Sequence, residues 1–241
     1  SLMTAHPGIG KDCNNFFNHI NLENVNHVYE NILAAPYTLK AAILEKMERE
    51  IKKGKDGKLF LKCNSVTDKE IIKKLSEASQ AGVDVRMIVR GISCIRPQVE
   101  GYTDNIQIKS IVGRYLEHAR VYIFGDNEEI YIGSADLMTR NLIRRVEVII
   151  PIYDPAIKEK IIEYMNIQWL DNTKGRMINN KGHYEKISLA DGETLVNSQE
   201  TMMDLAKKRE PKADPNPKKT KKVKVEKKEK WLDKIRQLFK K

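Results

Sequence analysis

Apolar residues recur at helical spacing over the first fifty positions, and the period then switches to that of strands. Between residues 11 and 33, Phe16, Phe17, Ile20, Val28, Ile32 and Leu33 follow Asp12, predicting helix with Asp12 as N-cap. Thr38 opens a stronger case, TLKAAILEKMEREIKKG, with Leu39, Ile43, Leu44 and Met47 along one side and Gly54 as its stop. KLFLKCN (58–64) then reads as a strand and TDKEIIKKLSEASQAG as a helix capped by Thr67 or Asp68. DVRMIVRG (84–91) follows as a second strand at the spacing of a parallel crossover unit. Beyond the irregular ISCIRPQVEGYTDN come IQIKSIV (106–112), ARVYIFG (119–125) and EIYIGS (129–134), the last two flanking the turn signal Gly125-Asp126-Asn127. RRVEVIIPI (144–152) is a buried strand, and Pro155–Leu170 a helix carrying Ile157, Ile161, Ile162, Met165 and Trp169. Residues 35–170 therefore describe an α/β domain.

Composition changes that picture at its end. The 241 residues leave room for one well-buried domain with an appendage, or two small ones. The net charge of +10 is not spread evenly: residues 206–241 hold 16 of the 43 Lys and Arg but 5 of the 33 Asp and Glu, so residues 1–205 are close to neutral. KKREPKADPNPKKTKKVKVEKKEK, with three prolines and no aromatic, has the composition of a disordered linker. The closing KWLDKIRQLFKK regains an apolar stripe at Trp231, Leu232, Ile235, Leu238 and Phe239, the pattern of a basic amphipathic helix for a membrane surface or a partner, or of a loosely packed end. Such a tail suits an anionic partner, though basic runs are more often simply solvated. No apolar run approaches the roughly 18 residues of a membrane span. Cys13, Cys63 and Cys94 lack metal-ligand spacing. The expected location is cytoplasmic, with a peripheral place at the inner membrane as a refinement. Ser1-Leu2-Met3 reads as the start of a fragment or a processed chain.

Chemistry concentrates at one histidine. His6, His19, His27 and His183 have no chemical company, whereas His118 opens EHARVYIFGD at the head of a strand. Alternation places His118, Arg120, Tyr122 and Phe124 on one face. An imidazole and a guanidinium two apart suit a phosphate, since one moves a proton or phosphoryl group and the other forks onto oxyanions. Arg90 ends a strand before Gly91, where α/β sheets present ligand groups. Lys62 and Asn64 alternate on a neighbouring strand and are weaker candidates to face the site.

His118, Arg120, Asp126, Gly133-Ser134 and Asp136 together resemble the phospholipase D superfamily motif. Here Arg120 stands for its lysine and Asp136 for its asparagine, and every member from Asp126 onward is displaced by one place. A closer resemblance lies in KCNSVTDKEII, VRGI, DNIQIKSIVGRYLEHARVYIF, YIGSADLMTRN and RRVEVIIPI, which are similar to the C-terminal part of bacterial polyphosphate kinases of the phosphohistidine type. MTAHPGIGKDCNNFFNHI is similar to the segment that closes the preceding domain in that family.

That resemblance implies a phospholipase D-like mixed sheet flanked by helices, with residues 1–34 closing a preceding domain, 35–190 forming the second C-terminal domain and 191–241 a disordered basic tail. It implies reversible transfer of the terminal phosphate of ATP to inorganic polyphosphate, through a phosphohistidine and Mg²⁺ whose residues lie upstream of Ser1. The matching positions here are Arg90 and His118, both nucleotide-binding in the family. His118 is then the catalytic proton donor or electrostatic partner and Arg90 the phosphate clamp. Arg120, Arg140 and Arg145 are secondary candidates to line a polyphosphate channel, the last two balanced against structural pairing with Asp136 and Glu147. No metal ligand is expected in residues 1–241, which alone should be inactive, and the full-length enzyme should be a homo-oligomer. Two rival readings are a phospholipase D-like phosphodiesterase or nuclease using His118 in a symmetric dimer, and a polyanion-binding module acting through the lysine-rich tail.

Overall fold

The computed structural model describes residues 2–22, 27–127, 129–189 and 192–209. In chain order these form α1 (Pro7–Asn21), β1 (Leu33–Ala35), α2 (Leu39–Lys53), β2 (Lys58–Cys63), α3 (Lys69–Gln80), β3 (Asp84–Val89), β4 (Ile106–Ile111), β5 (Arg120–Phe124), β6 (Glu129–Gly133), β7 (Glu147–Pro151), α4 (Pro155–Trp169), β8 (Gly175–Ile178), β9 (Tyr184–Lys186) and α5 (Ser198–Arg209). One compact unit takes in residues 1–204, and 205–241 form a second, of which the end of α5 is the described part. The expected terminal amphipathic helix lies outside the described residues.

The strands make one mixed sheet in the order β1-β7-β6-β5-β2-β3-β4-β8-β9. β2, β3 and β4 are mutually parallel. β5 returns antiparallel beside β2, with Lys62 opposite Val121, and β8 returns antiparallel beside β4, with Ile111 opposite Gly175. The carboxyl ends of β2, β3 and β4 therefore share one edge with the starts of β5, β7 and β8 and the end of β6. Helices cover both faces, as the sequence led one to expect. Leu39, Ile43 and Met47 of α2 and Ile71 and Leu75 of α3 are fully buried over Leu61, Met87, Ile108, Tyr122 and Phe124. Each such side chain contributes about 1.5–3 kcal/mol of burial. On the opposite face Val121, Ile123 and Ile130 meet Met165 and the half-buried Ile157, Ile161 and Ile162 of α4.

Local signals mostly did what their chemistry suggests. Asp68 caps α3 by accepting the N–H groups of Glu70 (3.1 Å) and Ile71 (3.2 Å). Thr38 precedes α2, but its hydroxyl donates backward to the Ala34 carbonyl at 2.9 Å. Asp12 is the correction: it lies inside α1, which is instead entered through His6 and Pro7. Its buried carboxylate accepts the N–H groups of Asn31 (2.6 Å) and Ile32 (3.2 Å). Burial alone would raise that carboxyl, yet the backbone donors hold it below its ordinary value. Ile9, Tyr29, Ile32 and Ala34 pack together against Val148 and Ile150 of β7. Within the stretch read as tail from residue 191, the structure has α5 beginning at Ser198.

Candidate phosphate-binding site

The shared edge gathers the residues that sequence reasoning singled out. Cys63 ends β2, so Asn64 follows at the edge; Val89 ends β3, so Arg90 follows; His118 lies just ahead of β5 and Arg120 begins it. This is where an α/β sheet whose strand order reverses presents its ligand groups.

His118 is exposed and held by a relay that starts at β2. Asn64 donates its backbone N–H to Asp136 Oδ1 at 2.7 Å and its amide to Oδ2 at 3.4 Å. Asp136 in turn takes a bidentate fork from Arg120, Nε to Oδ1 at 3.2 Å and Nη2 to Oδ2 at 3.0 Å. The remaining Nη1 donates to the His118 carbonyl at 2.7 Å and lies 2.8 Å from His118 Nδ1 and 3.2 Å from Nε2. Nη1 thus faces both ring nitrogens, and the imidazole N–H can donate a hydrogen bond to an oxyanion. Arg120 is thus occupied as a positioning residue for His118.

The residue before His118 carries a second support that the sequence did not signal. Glu117 is buried and accepts Lys62 Nζ (3.0 Å), Gln168 Nε2 of α4 (2.6 Å) and Gln199 Nε2 of α5 (2.8 Å). Burial would raise its carboxyl, but the Lys62 ammonium and the two amides hold it below the usual value. Gln199 also brackets Tyr115, accepting its N–H at 2.9 Å and donating to its carbonyl at 2.8 Å. A Cβ on Gly113 would come within 2.6 Å of Gln199 Oε1, so a side chain there would push the Gln199 amide aside. α5 therefore clasps the loop that delivers His118.

Arg90 presents the opposite condition. Its backbone is fixed, with the carbonyl accepting Ser110 Oγ at 3.2 Å, but its Nη1 is buried and has no hydrogen-bond partner among the described residues. Buried polar groups in native proteins are nearly always paired, so an orphaned guanidinium nitrogen points to a ligand. Lys62 and Asn64 do reach this edge, as supports for Glu117 and Asp136. Arg140 and Arg145 are exposed and form no ion pair among the described residues; Asp136 is taken by Arg120 and Glu147 by Asn141 at 2.6 Å. Asp126 sits at the opposite end of β5, paired with Lys58 at 3.0 Å, so that motif member is not brought to the site. Around the edge, Ile92, Val112, Tyr115, Leu116, Ile143 and Val146 are exposed. Several exposed apolar residues thus lie on the loops of this one edge.

No group of three or more His, Cys, Asp and Glu among the described residues is placed to hold a metal ion. No described helix is long and apolar enough to cross a membrane.

The family model for polyphosphate kinase C-terminal domain 2 matches residues 32–199. The polyphosphate kinase of Staphylococcus epidermidis is 41% identical over 210 residues, 85% of this chain and 28% of that protein. That of Helicobacter pylori strain 26695 is 46% identical over 163 residues, 68% of this chain and 24% of its own. The crystal structure of polyphosphate kinase from Porphyromonas gingivalis superposes with a TM-score of 0.79 at 36% identity, covering 86% of this chain and 32% of that one. The chain spans about a third or less of the length of these relatives.

Proposed function

Since the chain belongs to the polyphosphate kinase C-terminal domain family, we propose that its sheet edge supplies one half of a site that moves the terminal phosphate of ATP reversibly onto inorganic polyphosphate. The observation that carries this reading is the buried, unpartnered Arg90 Nη1 on the same edge as a histidine steered by an arginine. Phosphoryl transfer spreads negative charge over the moving group and the leaving oxygen, and a fixed guanidinium and a positioned proton donor answer both. Arg90 clamps phosphate oxygens; His118 offers a ring N–H as a hydrogen-bond donor to the leaving phosphate. Arg120 keeps the imidazole in place, and Asp136 keeps Arg120.

On this reading His118 is not the phosphate carrier. The phosphate-accepting histidine comes from residues outside 1–241, and the exposed apolar rim is the face that meets them. Mg²⁺ belongs with that other half. The donor set here is basic, and its nearby carboxylates are committed to Arg120 and Lys62, so the residues present do not fit a cation.

In the full-length polypeptide, His118→Ala should lower synthesis from ATP about 10²–10³-fold, the usual worth of one positioned hydrogen-bond donor to a developing oxyanion. Arg90→Lys should also fail, because an ammonium cannot reproduce a guanidinium fork on two phosphate oxygens. Activity of His118→Ala within tenfold of wild type, or unchanged ATP affinity in Arg90→Lys, overturns the assignment.

A further inference from the structure

Beside Arg90 the sheet edge opens into a hollow of about 520 Å³, lined by Arg90, Ser110, Val112, Lys174, Arg176 and Tyr184. That is within the size range of ligand sites. Three of its six residues are cationic and none is acidic. Like charges facing one cavity repel one another, so their convergence calls for an anion.

The walls are built with care for where those cations stand. Lys174 and Arg176 lie in and just after the turn from α4 into β8, which is wrapped around the buried Asp171. One oxygen of Asp171 accepts the N–H groups of Lys174 (2.8 Å) and Gly175 (3.0 Å), and the other takes Ser198 Oγ (2.6 Å) and N–H (2.8 Å). Both oxygens are spent on the turn and on α5. Arg176 is steadied by donating Nη1 to the carbonyls of Thr173 (3.2 Å) and Gly175 (2.8 Å), leaving the rest of its fork for the cavity. Tyr184 of β9 ties the far wall to the arginine segment by donating its hydroxyl to the Gly91 carbonyl at 3.2 Å. Lys174 is exposed and has no acidic partner among the described residues.

We propose that this hollow binds a linear run of phosphoryl groups, with Lys174 and Arg176 as specificity-determining cations beside Arg90. Spaced point charges and a fork suit a repeating anion better than a single phosphate. The lining offers one hydroxyl, one phenol and one valine besides, little for a purine to read. The run is shared by the triphosphate of a nucleotide and by inorganic polyphosphate. The proposal rests on the phosphate-transfer reading and adds the β8–β9 side of the site to it.

The test titrates the purified 241-residue chain, without metal, with tripolyphosphate, ATP and orthophosphate. Lys174→Ala is compared with Lys160→Ala, which removes the same charge from the exposed side of α4. Lys174→Ala should weaken tripolyphosphate and ATP by the same factor, about five- to tenfold, and reduce the dependence of log Kd on log salt by about one. Lys160→Ala should stay within twofold, and orthophosphate should bind far more weakly than tripolyphosphate to every form. If Lys174→Ala matches Lys160→Ala while Arg90→Lys still weakens ATP, this proposal fails and the functional reading stands. If ATP alone is weakened, the hollow reads the nucleoside and the proposal is again overturned. If the wild-type chain binds neither ATP nor tripolyphosphate, the functional reading itself fails and this one with it.

Discussion

Glu117→Gln should cost the fold about 3–5 kcal/mol, the usual penalty for removing one partner of a buried ion pair. Lys62 is 2% exposed and Glu117 9%, so water cannot take over the orphaned ammonium. The substitution keeps the side chain's shape and opens no cavity, so the loss is one of charge and hydrogen bonding. Lys62 keeps a polar neighbour but no counter-charge, and the amides of Gln168 and Gln199 face an amide in place of a carboxylate. With a urea slope of about 2–3 kcal/mol/M, the unfolding midpoint should fall by on the order of 1–2 M. Lys62→Met should be destabilising too, because it strands the carboxylate. The double variant should lose less than the sum of the two, by at least about 1 kcal/mol. The pH dependence has a definite sign. The folded carboxyl lies below its ordinary value of 4.5, so its stabilisation is present above that pH and lost as pH falls through the folded value. The gap between wild type and Glu117→Gln should accordingly close in acid. A loss under about 1 kcal/mol at pH 7, or a gap that widens in acid, refutes the reasoning.

Two further outcomes follow from neighbouring groups. Burial pulls the Lys109 ammonium from 10.5 down to about 8, so between those values the unfolded chain holds more protons and stability should rise with pH; Lys109→Met should lack that rise, and an equal slope in both proteins contradicts it. Gln199→Ala removes both bonds that bracket Tyr115, so amide exchange at Tyr115 should quicken at least about tenfold by local opening, and unchanged protection would show that α5 does not hold the loop.

The edge of the site was legible where chemistry is local in sequence. His118 and Arg120 are two apart, and the strand signal around them is strong enough to place both at one end of β5. Arg90 before Gly91 could be read because a strand ended there. Asp136 was found only as a displaced motif member, yet it is the group that holds Arg120. Asp126, which the same motif suggested, went to the far end of the hairpin, since a residue in the turn after a strand cannot lie at the strand's start. Glu117 gave no warning: an acid in a charged loop looks the same whether it is solvated or buried under Lys62. β8 and β9 escaped because GRMI and YEK are too short to show alternation. α5 was missed for a different reason. Its anchors are Ser198 on Asp171 and Gln199 on Glu117, polar contacts between residues far apart in the chain, and these leave no periodic mark.

The central claim is that His118 assists transfer and does not carry the phosphate. It is tested most directly by brief reaction of the full-length polypeptide with ATP, followed by mass mapping of phosphohistidine under alkaline conditions. The account predicts phosphate on a histidine outside residues 1–241, with His118 unmodified. Phosphate recovered on His118 would contradict it.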